Sequence, residues 1–490
     1  MIEAWSTTAV YAAESSLMAT LDEGELMARA VEGLAGVAAA RLEEREGDAV
    51  AALVGPGNNG ADALYAVARL AEAGWNAAAV HDRTVHEGAR AAAAEAGVVL
   101  TTDPSVLGEA DVVLDGILGI GARAGLPTWA RAWLRQVPDT AHLIAVDLPS
   151  GQDPMGGELD PEGVFADETV TFSVAKPLHL LPPTEQACGV LTVVDIGVEP
   201  TGDPVVRRLD HDDVAALWPV PSASDDKYSR GVVGIVAGGE SYPGAAVLAV
   251  TAAVEAGAGM VRYVGTPTPA GLVAEAVPEA VHGVGRVQAW VVGPGLEASS
   301  RGDGASAQLD AARTALRGAE PVVVDAGGLD LLDDTVLRGR RDRGTLLTPH
   351  AGECARLLSR LGAEEVRRDA VEAAPLEHAR ELARLTGATV LLKGSTTLVV
   401  APGDGATAFS QADAPAWLAT AGAGDVLAGL VGTLLAAGLP ADEAGALAAL
   451  VHGVAADRVN PGGPVRALRV AYGIPLAVAH LLGRAGTAAS

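Results

Sequence analysis

The sequence predicts an α/β fold made of two doubly wound domains. Short apolar strands alternate with helical stretches along nearly the whole chain, a pattern typical of parallel βαβ units. The alternation stops in Pro-, Gly- and Asp-rich segments at residues 199–204 and 219–226 and then restarts. The chain has 490 residues, of which 49% are hydrophobic, so each of two or three domains could bury a core. We therefore place a domain boundary between residues 209 and 210.

The first domain, residues 1–209, is predicted to contain a parallel sheet with helices between its strands. Residues 17–44 carry apolar side chains at helical spacing. Apolar runs indicate strands at residues 49–54, 77–80, 98–100, 111–115, 143–147, 169–173 and 190–195. Helices are predicted between them, for example over residues 61–73 and 128–137.

The second domain, residues 210–490, repeats this alternation. Strands are predicted at residues 232–237, 261–264, 290–292, 322–325, 345–347 and 390–392. Helices are predicted at residues 245–256, 305–316, 352–361 and 377–385, with a surface loop at 299–304 and a closing helix pair at 426–437 and 442–458. The apolar run at 426–439 is too short to cross a bilayer and is interrupted by glycines, so we expect a buried core helix.

The net charge and the cysteine content argue against several kinds of function. The net charge of −28 argues against a nucleic-acid partner, which would need clustered Lys and Arg, and against an anionic membrane surface. Cys188 and Cys354 cannot form a disulfide framework, and the N-terminus lacks the basic flank and apolar core of a signal peptide. We expect a cytoplasmic protein that acts on a small molecule.

Lysine use is a further signal. The chain has only three lysines, Lys176, Lys227 and Lys393, and otherwise uses arginine. The two side chains are nearly exchangeable on a solvated surface, but not at a site that needs a compact, rotatable ammonium group. We expect lysine mainly where the chemistry requires it, although each one could also be a chance survivor.

Three polar loops of the first domain each follow a predicted strand: residues 55–62 (GPGNNGAD), 115–125 (DGILGIGARAG) and 147–151 (DLPSG). The carboxyl ends of parallel strands form the ligand crevice of an open α/β sheet, so these loops should meet in one pocket. The glycines of the first loop precede a helix whose N-terminus favours phosphate. The oxygen-bearing side chains Asn58, Asn59, Asp115 and Ser150 suit a hard cation. Each loop alone could be an ordinary turn or an Asp N-cap.

These motifs resemble those of the NAD(P)H-hydrate epimerase family, which interconverts the R and S epimers of hydrated NADH and NADPH. The resemblance implies a Rossmann-like fold and a K⁺ site at Asn59, Asp115 and Ser150. The residues that it implies for substrate contact are Asn58, Asn59, Gly60, Ala61, Asp62, Gly119, Ile120, Gly121, Ala122, Arg123, Ala124, Gly125 and Asp147. This chain has NNGADA where the family pattern reads NNGGDG, and KPLH at residues 176–179 where the pattern reads KPGL.

The strongest signal of the second domain is AGAGD at residues 421–425, which leads into the apolar run. Successive backbone amides at a helix N-terminus bind an anion, and Asp425 in the first turn could take a proton from a hydroxyl near a transferred phosphate. An Asp N-cap after a glycine turn is the structural alternative. Two other strand ends support a site, because LLKGSTT at 391–397 offers a lysine and three hydroxyls and TPHAGE at 348–353 offers a histidine and a glutamate.

The second domain resembles the ribokinase-like fold and, within it, the ADP-dependent NAD(P)H-hydrate dehydratases. The motifs DDKYSRG, GIVAGG, YPGAA, VVGPGL, VVVDAGGL, TPHAGE, LLKGSTT and AGAGDVLAGL stand in that family's order. The resemblance implies a hydrate site at Ala245, Gly295, His350 and Asp425. It implies an ADP site at Lys393, Gly394, Ser395, Thr396, Thr397 and Gly424. The chain departs from the family at residues 228–231 (YSRG for HKG) and at AGAGD (for GGTGD).

Together the two resemblances imply repair of hydrated NAD(P)H, with Asp425 as the base on the ring hydroxyl, residues 422–424 as the anion-binding amides and Lys393 positioning the nucleotide. The dehydratase of such a pair accepts the S epimer and releases AMP and phosphate, so a fused epimerase makes both epimers usable. The cofactors implied are ADP and K⁺, with Mg²⁺ as a further candidate. Apolar helix faces favour a homo-oligomer.

Two alternatives stay open from the sequence. AGAGD is closer to the sugar-kinase form, so the chain could be a small-molecule kinase with a non-catalytic N-terminal binding module. The first domain could equally be a binding or scaffold module whose NNGADA loop marks lost catalysis.

Overall fold

The computed structural model describes residues 1–82, 84–298 and 302–483. Residue contacts divide the chain into two compact units: residues 3–206, called here the first unit, and residues 207–490 with residues 1–2, called the second unit. The division falls between Val206 and Arg207, close to the boundary that we placed from sequence. Each unit has its own sheet, and the predicted α/β class is confirmed.

The N-terminal strand and the strands of the first unit are β1 (Ile2–Ala4), β2 (Ala49–Val54), β3 (Asn76–His81), β4 (Val99–Thr101), β5 (Val112–Gly116), β6 (His142–Val146), β7 (Glu168–Phe172) and β8 (Val190–Val194). The helices are α1 (Thr7–Met18), α2 (Glu25–Glu44), α3 (Asn58–Glu72), α4 (Glu87–Glu95), α5 (Thr128–Leu134) and α6 (Pro177–Leu180). In the described residues, β2 to β8 form a parallel sheet in the order β4-β3-β2-β5-β6-β7-β8.

The strand order of the first sheet reverses at β2, and this reversal positions the site of the first unit. This strand pairs with β3 on one side and β5 on the other, so that Leu53 faces both Val80 and Asp115 in register. β2 and β5 are almost wholly buried, as expected for parallel strands covered on both faces. The loops that follow β2 and β5 therefore diverge at a topological switch point, where ligands bind in this class of fold.

The prediction of one continuous helical stretch over residues 17–44 is wrong in one respect, because two separate helices occur in its place. α1 ends at Met18, and α2 begins at Glu25 after Gly24, whose φ is +83°. A left-handed residue cannot continue a right-handed helix, and glycine adopts this φ without steric cost. α1, whose first turn is capped by the Ser6 hydroxyl accepting from the Ala9 N–H at 3.2 Å, was not predicted.

The later strands are β9 (Val206–Arg208), β10 (Val232–Val236), β11 (Met260–Val264), β12 (Val281–His282), β13 (Ala289–Val292), β14 (Val322–Val324), β15 (Thr345–Leu347), β16 (Thr389–Leu392), β17 (Thr397–Val400) and β18 (Ala408–Gln411). The helices are α7 (Asp213–Leu217), α8 (Pro243–Glu255), α9 (Pro267–Ala276), α10 (Asp303–Arg317), α11 (Asp334–Arg340), α12 (Ala351–Leu361), α13 (Arg368–Ala373), α14 (Pro375–Thr386), α15 (Ala423–Ala436), α16 (Ala441–Val459) and α17 (Ala467–Leu481). The sheet order over the described residues is β1-β9-β18-β17-β16-β15-β14-β13-β10-β11-β12.

Strands β10 to β16 pair in parallel, whereas β16, β17 and β18 pair antiparallel. The hairpin of β16 and β17 was not predicted, because the last strand that we predicted lies at residues 390–392. α15 and α16 do not close the chain as predicted, since α17 follows. α17 contains Pro475, a residue that normally ends a helix.

Two other expectations concern the second unit. Residues 299–301 of the predicted loop at 299–304 lie outside the described residues, and Asp303 and Gly304 already belong to α10. The apolar run at 426–439 is confirmed as a core helix, because nearly every residue of α15 is buried. Among the residues that the structure describes, no helix combines the length and apolarity needed to cross a membrane.

Candidate active sites

A cavity of about 400 Å³ opens at the carboxyl edge of the first sheet. The loops after β2, β5 and β6 line it together with α1. The predicted substrate residues in its lining are Asn58, Asn59, Asp62, Gly119, Ile120, Gly121, Ala122 and Asp147. The structure thus brings residues from three separate loops into one pocket, which follows from the shared edge of their strands.

Other predicted substrate residues lie around this cavity. Gly60 and Ala61 are buried in the first turns of α3, Arg123 and Ala124 are exposed, and Gly125 has a φ of +109°. They shape the loops that carry the lining residues.

Asp147 is held in place by a buried ion pair. The Lys176 ammonium, whose side chain is 2% exposed, donates to Asp147 Oδ1 and to Thr171 Oγ1, the second at 2.9 Å. Thr171 also donates to Asp147 at 3.0 Å, and His179 Nε2 lies 2.9 Å from the Asp147 carbonyl. Asp147 has a φ of +66°, a strained value that non-glycine residues keep only where surrounding contacts hold them.

Asp62 lies in the same cavity without such a partner. Its side chain is 8% exposed, and its Oδ1 is buried with no hydrogen-bond partner among the described residues. Burial, with the negative charges of Asp147 and Glu14, raises the pKa of Asp62 to about 8. At neutral pH this carboxyl group therefore carries a proton and can donate it.

Glu14 and Tyr11 reach the cavity from α1. Burial is the main cause of the raised pKa of Glu14, and Asp147 adds to it. The Tyr11 hydroxyl lies close to Gly121, since a methyl group there would come within 2.7 Å of it. These two residues were missed because α1 carries none of the glycine-rich or strand-end signals by which the other lining residues were found.

Of the predicted cation residues, Asn59 lines the cavity, whereas Asp115 and Ser150 are fully buried. Asp115 is fully buried and accepts from the Ser150 hydroxyl at 2.7 Å and the Ser150 N–H at 2.8 Å. Burial raises the pKa of Asp115 to about 6, and the bonds from Ser150 oppose the rise. Asn59 Nδ2 donates to the carbonyl oxygens of Leu118 at 3.2 Å and Val146 at 2.5 Å. The loops after β2, β5 and β6 are thus tied together around one set of oxygens.

Close backbone approach explains one glycine of this site. A methyl group at Gly119 would lie 2.5 Å from Asn59 Oδ1. Any side chain at this position would therefore displace Asn59, which bridges the loops after β5 and β6.

In the second unit, the neighbouring parallel strands β14, β15 and β16 are followed directly by Asp325, Thr348 and Lys393. Lys393 Nζ and Thr348 Oγ1 each donate to Asp325 Oδ1 at 2.7 Å, and Asp325 is 2% exposed. The backbones of His350 and Lys393 form an isolated parallel β-bridge. The His350 ring accepts from the Gly352 N–H at 3.0 Å and so caps the N-terminus of α12. Burial is the main cause that lowers the pKa of His350.

Asp425 lies in the first turn of α15 beside this group. The helix begins after Gly422, whose φ of +89° turns the chain into the helix. Burial, with the negative charge of Asp325, raises the pKa of Asp425 to about 7, and Lys393 opposes the rise. A methyl group at Gly424 would lie 3.2 Å from Lys393 Nζ. The predicted base and the predicted nucleotide lysine are therefore neighbours.

The anion-binding amides differ in detail from the prediction. The Ala423 N–H already donates to the Thr420 carbonyl at 3.3 Å. The N–H groups of Gly424 and Asp425 belong to the first helical turn, where no intrahelical acceptor precedes them. They are the donors that α15 offers to an anion.

The remaining predicted residues form two groups in the second unit. Ala245, in the first turn of α8, packs on Gly295, where a methyl group would lie 2.6 Å from the Ala245 Cβ. Gly394, Ser395 and Thr396 form the turn between β16 and β17, and Thr397 begins β17. Gly394 and Ser395 are exposed, whereas Thr396 is buried.

Asp325 is the main residue of this group that we did not predict. It stands in the VVVDAGGL motif, but an Asp at the end of a strand is usually an N-cap, and the sequence does not show its pairing with a lysine 68 positions away.

Both halves of the chain match known families. Residues 233–465 match the family described as NAD(P)H-hydrate dehydratase, and residues 23–178 match the family described as YjeF-related protein N-terminus. The bifunctional NAD(P)H-hydrate repair enzyme Nnr of Mycobacterium leprae is 42% identical over 500 residues, covering 97% of this chain and 99% of the relative. The enzyme of the same name from Corynebacterium glutamicum is 34% identical, covering 85% and 83%.

Two solved structures are similar to part of this chain. The ADP/ATP-dependent NAD(P)H-hydrate dehydratase of Bacillus subtilis, co-crystallised with ATP and Mg²⁺, is 24% identical with a TM-score of 0.49, covering 56% of this chain and 99% of its own. A ribokinase-like superfamily protein of Enterococcus faecalis is 22% identical with a TM-score of 0.47, covering 58% and 99%. The nearly full-length identity to the Mycobacterium leprae enzyme and the two family matches show that this chain belongs to the bifunctional NAD(P)H-hydrate repair enzymes, with an epimerase and a dehydratase domain.

Proposed function

We propose that the chain repairs hydrated NADH and NADPH through one reaction in each unit. The first unit interconverts the R and S hydrates. The second unit dehydrates the S form with ADP and yields NAD(P)H, AMP and phosphate. The observation that carries the proposal is Asp425, half-buried in the first turn of α15 beside Lys393.

Dehydration must remove a hydroxyl group, which is a poor leaving group at neutral pH. Asp425 takes the hydroxyl proton while the oxygen attacks the terminal phosphoryl group of ADP, and AMP leaves. The ring nitrogen then donates its electron pair, the carbon–oxygen bond breaks and phosphate departs. The departing phosphate takes a proton from the adjacent ring carbon, which restores the double bond of the reduced cofactor.

The surrounding residues bind the nucleotide and orient it. The first-turn amides of α15 face the transferred phosphoryl group, and the helix N-terminus favours its negative charge. ADP is the nucleotide, and Lys393 with residues 394–397 holds its remaining phosphate, the one that leaves with AMP. Mg²⁺ would accompany the nucleotide, because in sites of this kind the ion is held largely by substrate phosphates and water.

Epimerisation needs one group that donates a proton and one that accepts a proton. Asp62 gives its proton to the ring hydroxyl, which leaves as water while the ring nitrogen stabilises the positive carbon. Water then adds to the opposite face of the ring and gives its proton to Asp147, which Lys176 and Thr171 hold in the same cavity. The solvent returns both carboxyl groups to their starting states.

The residues at the predicted potassium site fit a monovalent cation. Asn59, Asp115 and Ser150 offer amide, carboxylate and hydroxyl oxygens, and the carbonyl oxygens of Leu118 and Val146 accept from Asn59 Nδ2. The groups that bond to the buried Asp115 carboxylate are neutral, so a bound K⁺ would supply its counter-charge and stabilise the loops around the cavity.

The Asp425→Asn variant tests the proposal. We expect it to abolish the ADP-dependent recovery of NADH absorbance, because the amide cannot accept the hydroxyl proton, while exchange between the R and S epimers continues. The two readouts are the absorbance of the reduced cofactor and chromatographic separation of the epimers. Dehydration that persists in this variant would exclude Asp425 as the base.

Family membership favours repair over the small-molecule kinase hypothesis. The epimer-exchange measurement also tests whether the first unit is a non-catalytic module, since such a module would leave the epimer ratio unchanged. Cytoplasmic localisation and a homo-oligomer remain predictions, and light scattering of the purified protein would measure the second.

A further inference from the structure

Asp325 is a buried carboxylate that the dehydration steps above do not use. It follows β14 directly, and its Oδ1 accepts from both Lys393 and Thr348 at 2.7 Å. These two partners follow the adjacent strands β15 and β16, so three neighbouring strand ends converge on one oxygen atom.

The backbone around Asp325 fixes its position. The Asp325 N–H donates to the Val292 carbonyl at 3.0 Å, and a methyl group at Gly293 would lie 1.8 Å from the Asp325 carbonyl oxygen. The next residue, Ala326, has a φ of +42°. A non-glycine residue keeps such a strained value only where the surrounding structure holds it, and strain of this kind is common at functional sites.

Lys393 lies between two carboxylates. It donates to Asp325, and it is also close enough to the Asp425 carboxylate for the two charges to affect each other's pKa. The other titratable groups around this pair are Glu353, His350 and His452. Because an ammonium group rotates freely on its stem, Lys393 could pair with either carboxylate.

We propose that Asp325 is a positioning residue of the dehydratase, which holds the Lys393 ammonium away from Asp425. With Lys393 held, Asp425 stays free to take the hydroxyl proton, and the remaining donors of the ammonium stay available to the nucleotide phosphates. The inference rests on the function proposed for the second unit.

The charges around Asp425 set the sign of the expected effect. The negative charge of Asp325 raises the pKa of Asp425, and the positive charge of Lys393 lowers it. Asp325→Asn removes the first charge and lets Lys393 turn towards Asp425. Both changes lower the pKa of Asp425, so the base would be ionised at lower pH.

The test is the pH profile of ADP-dependent dehydration in the full chain, with S-hydrated NADH as substrate. In Asp325→Asn we expect the acidic limb of kcat/KM to move to lower pH. We also expect kcat/KM for ADP to fall about 10- to 100-fold above pH 8, because Lys393 no longer faces the phosphates. Thr348→Val removes a hydrogen bond to Asp325 but no charge, so its acidic limb should stay in place. Asp310→Asn, at an exposed position of α10, should match the wild type in both quantities.

An Asp325→Asn enzyme with the wild-type acidic limb and the wild-type kcat/KM for ADP would overturn the inference. If this variant does not fold, Asp325→Glu keeps the charge and moves the carboxylate by one methylene group. It should then lose kcat/KM for ADP without a shift of the acidic limb, and wild-type values would contradict the proposal. A wild-type chain that does not dehydrate the hydrate would instead refute the proposed function.

Discussion

Two carboxyl groups, the buried Asp62 and the half-buried Asp425, have raised pKa values and opposite proposed tasks. Burial is the main cause in both, and it raises the pKa of Asp62 to about 8 and that of Asp425 to about 7. A general acid must be protonated at the working pH, whereas a general base must be ionised. The two reactions of one chain should therefore depend on pH in opposite directions.

The first prediction concerns this pH dependence. Dehydration should rise as the pH passes upward through about 7, because Asp425 loses its proton there. Epimerisation should fall as the pH passes upward through about 8, because Asp62 then no longer carries the proton that it donates. Both rates can be followed on one preparation with the absorbance assay and epimer separation. Parallel profiles would contradict the assigned roles.

The second prediction concerns Asp115, which is fully buried and bonded to neutral groups. Asp115→Ala should make epimerisation insensitive to K⁺, because the cation loses its charged ligand. The measurement is the rate of epimer exchange in potassium and in tetramethylammonium buffers of equal ionic strength. Potassium dependence equal to that of the wild type would exclude Asp115 as a ligand, and dehydration serves as the control activity.

The three lysines of the chain differ in burial and in their partners. Lys176 and Lys393 form buried or largely buried ion pairs with Asp147 and Asp325. Lys227 is exposed, and its ammonium lies 5.2 Å from the ring centre of its neighbour Tyr228. The expectation that lysine marks chemistry therefore agrees with the surroundings of two lysines and not with those of the third.

At the scale of elements, the position of α15 depends on small residues. A methyl group at Gly429 would lie 2.2 Å from the Ala249 carbonyl oxygen of α8, and one at Gly432 would lie 2.2 Å from Val291. α15 can therefore approach α8 and the sheet closely only because these positions lack side chains. This close approach places the first turn of α15, with Asp425, next to the strand ends.

The third prediction follows from that contact. Gly429→Ala should destabilise the second unit by about 1–3 kcal/mol, because the added methyl group meets a backbone atom that cannot move aside. Thermal or denaturant unfolding measures the change. Gly339→Ala is the matched control, since Gly339 is exposed on α11 with open space around it, and it should be neutral or slightly stabilising. Equal stability of the two variants would contradict this account of the packing.

At the scale of the whole molecule, the two reactions act on one substrate class. A dehydratase that accepts one epimer leaves the other unused unless an epimerase converts it. Each unit has its own sheet and its own candidate site, so the activities should be separable by single substitutions.

The fourth prediction tests this coupling in the full chain. With a mixture of R- and S-hydrated NADH and excess ADP, the wild type should convert all of the hydrate. Asp62→Asn should convert the S fraction at the wild-type rate and then stop, because loss of a general acid slows epimerisation about 10²- to 10⁴-fold. The measurement is the amplitude of NADH recovery. Full amplitude at the wild-type rate would show that Asp62 is not needed, and Asp48→Asn at an exposed position serves as the control.

The sequence by itself determined the α/β class, most strands of both sheets and the loops that carry the candidate sites. It could do so because apolar periodicity is local, and because parallel strands place their carboxyl ends on one edge. Asp115, Asp147 and Lys393 were found at such strand ends. Asp425 was found from the glycine-rich start of a helix, and the substrate role of Gly119 is what the family resemblance implies.

Only the tertiary structure decided which of these groups are buried, paired or free. The pairing of Asp325 with Lys393 joins two segments far apart in the chain. Asp62, whose Oδ1 has no hydrogen-bond partner among the described residues, lines one cavity with Glu14 of α1. Protonation and charge depend on distance and solvent exposure in space, which no local pattern of residues encodes.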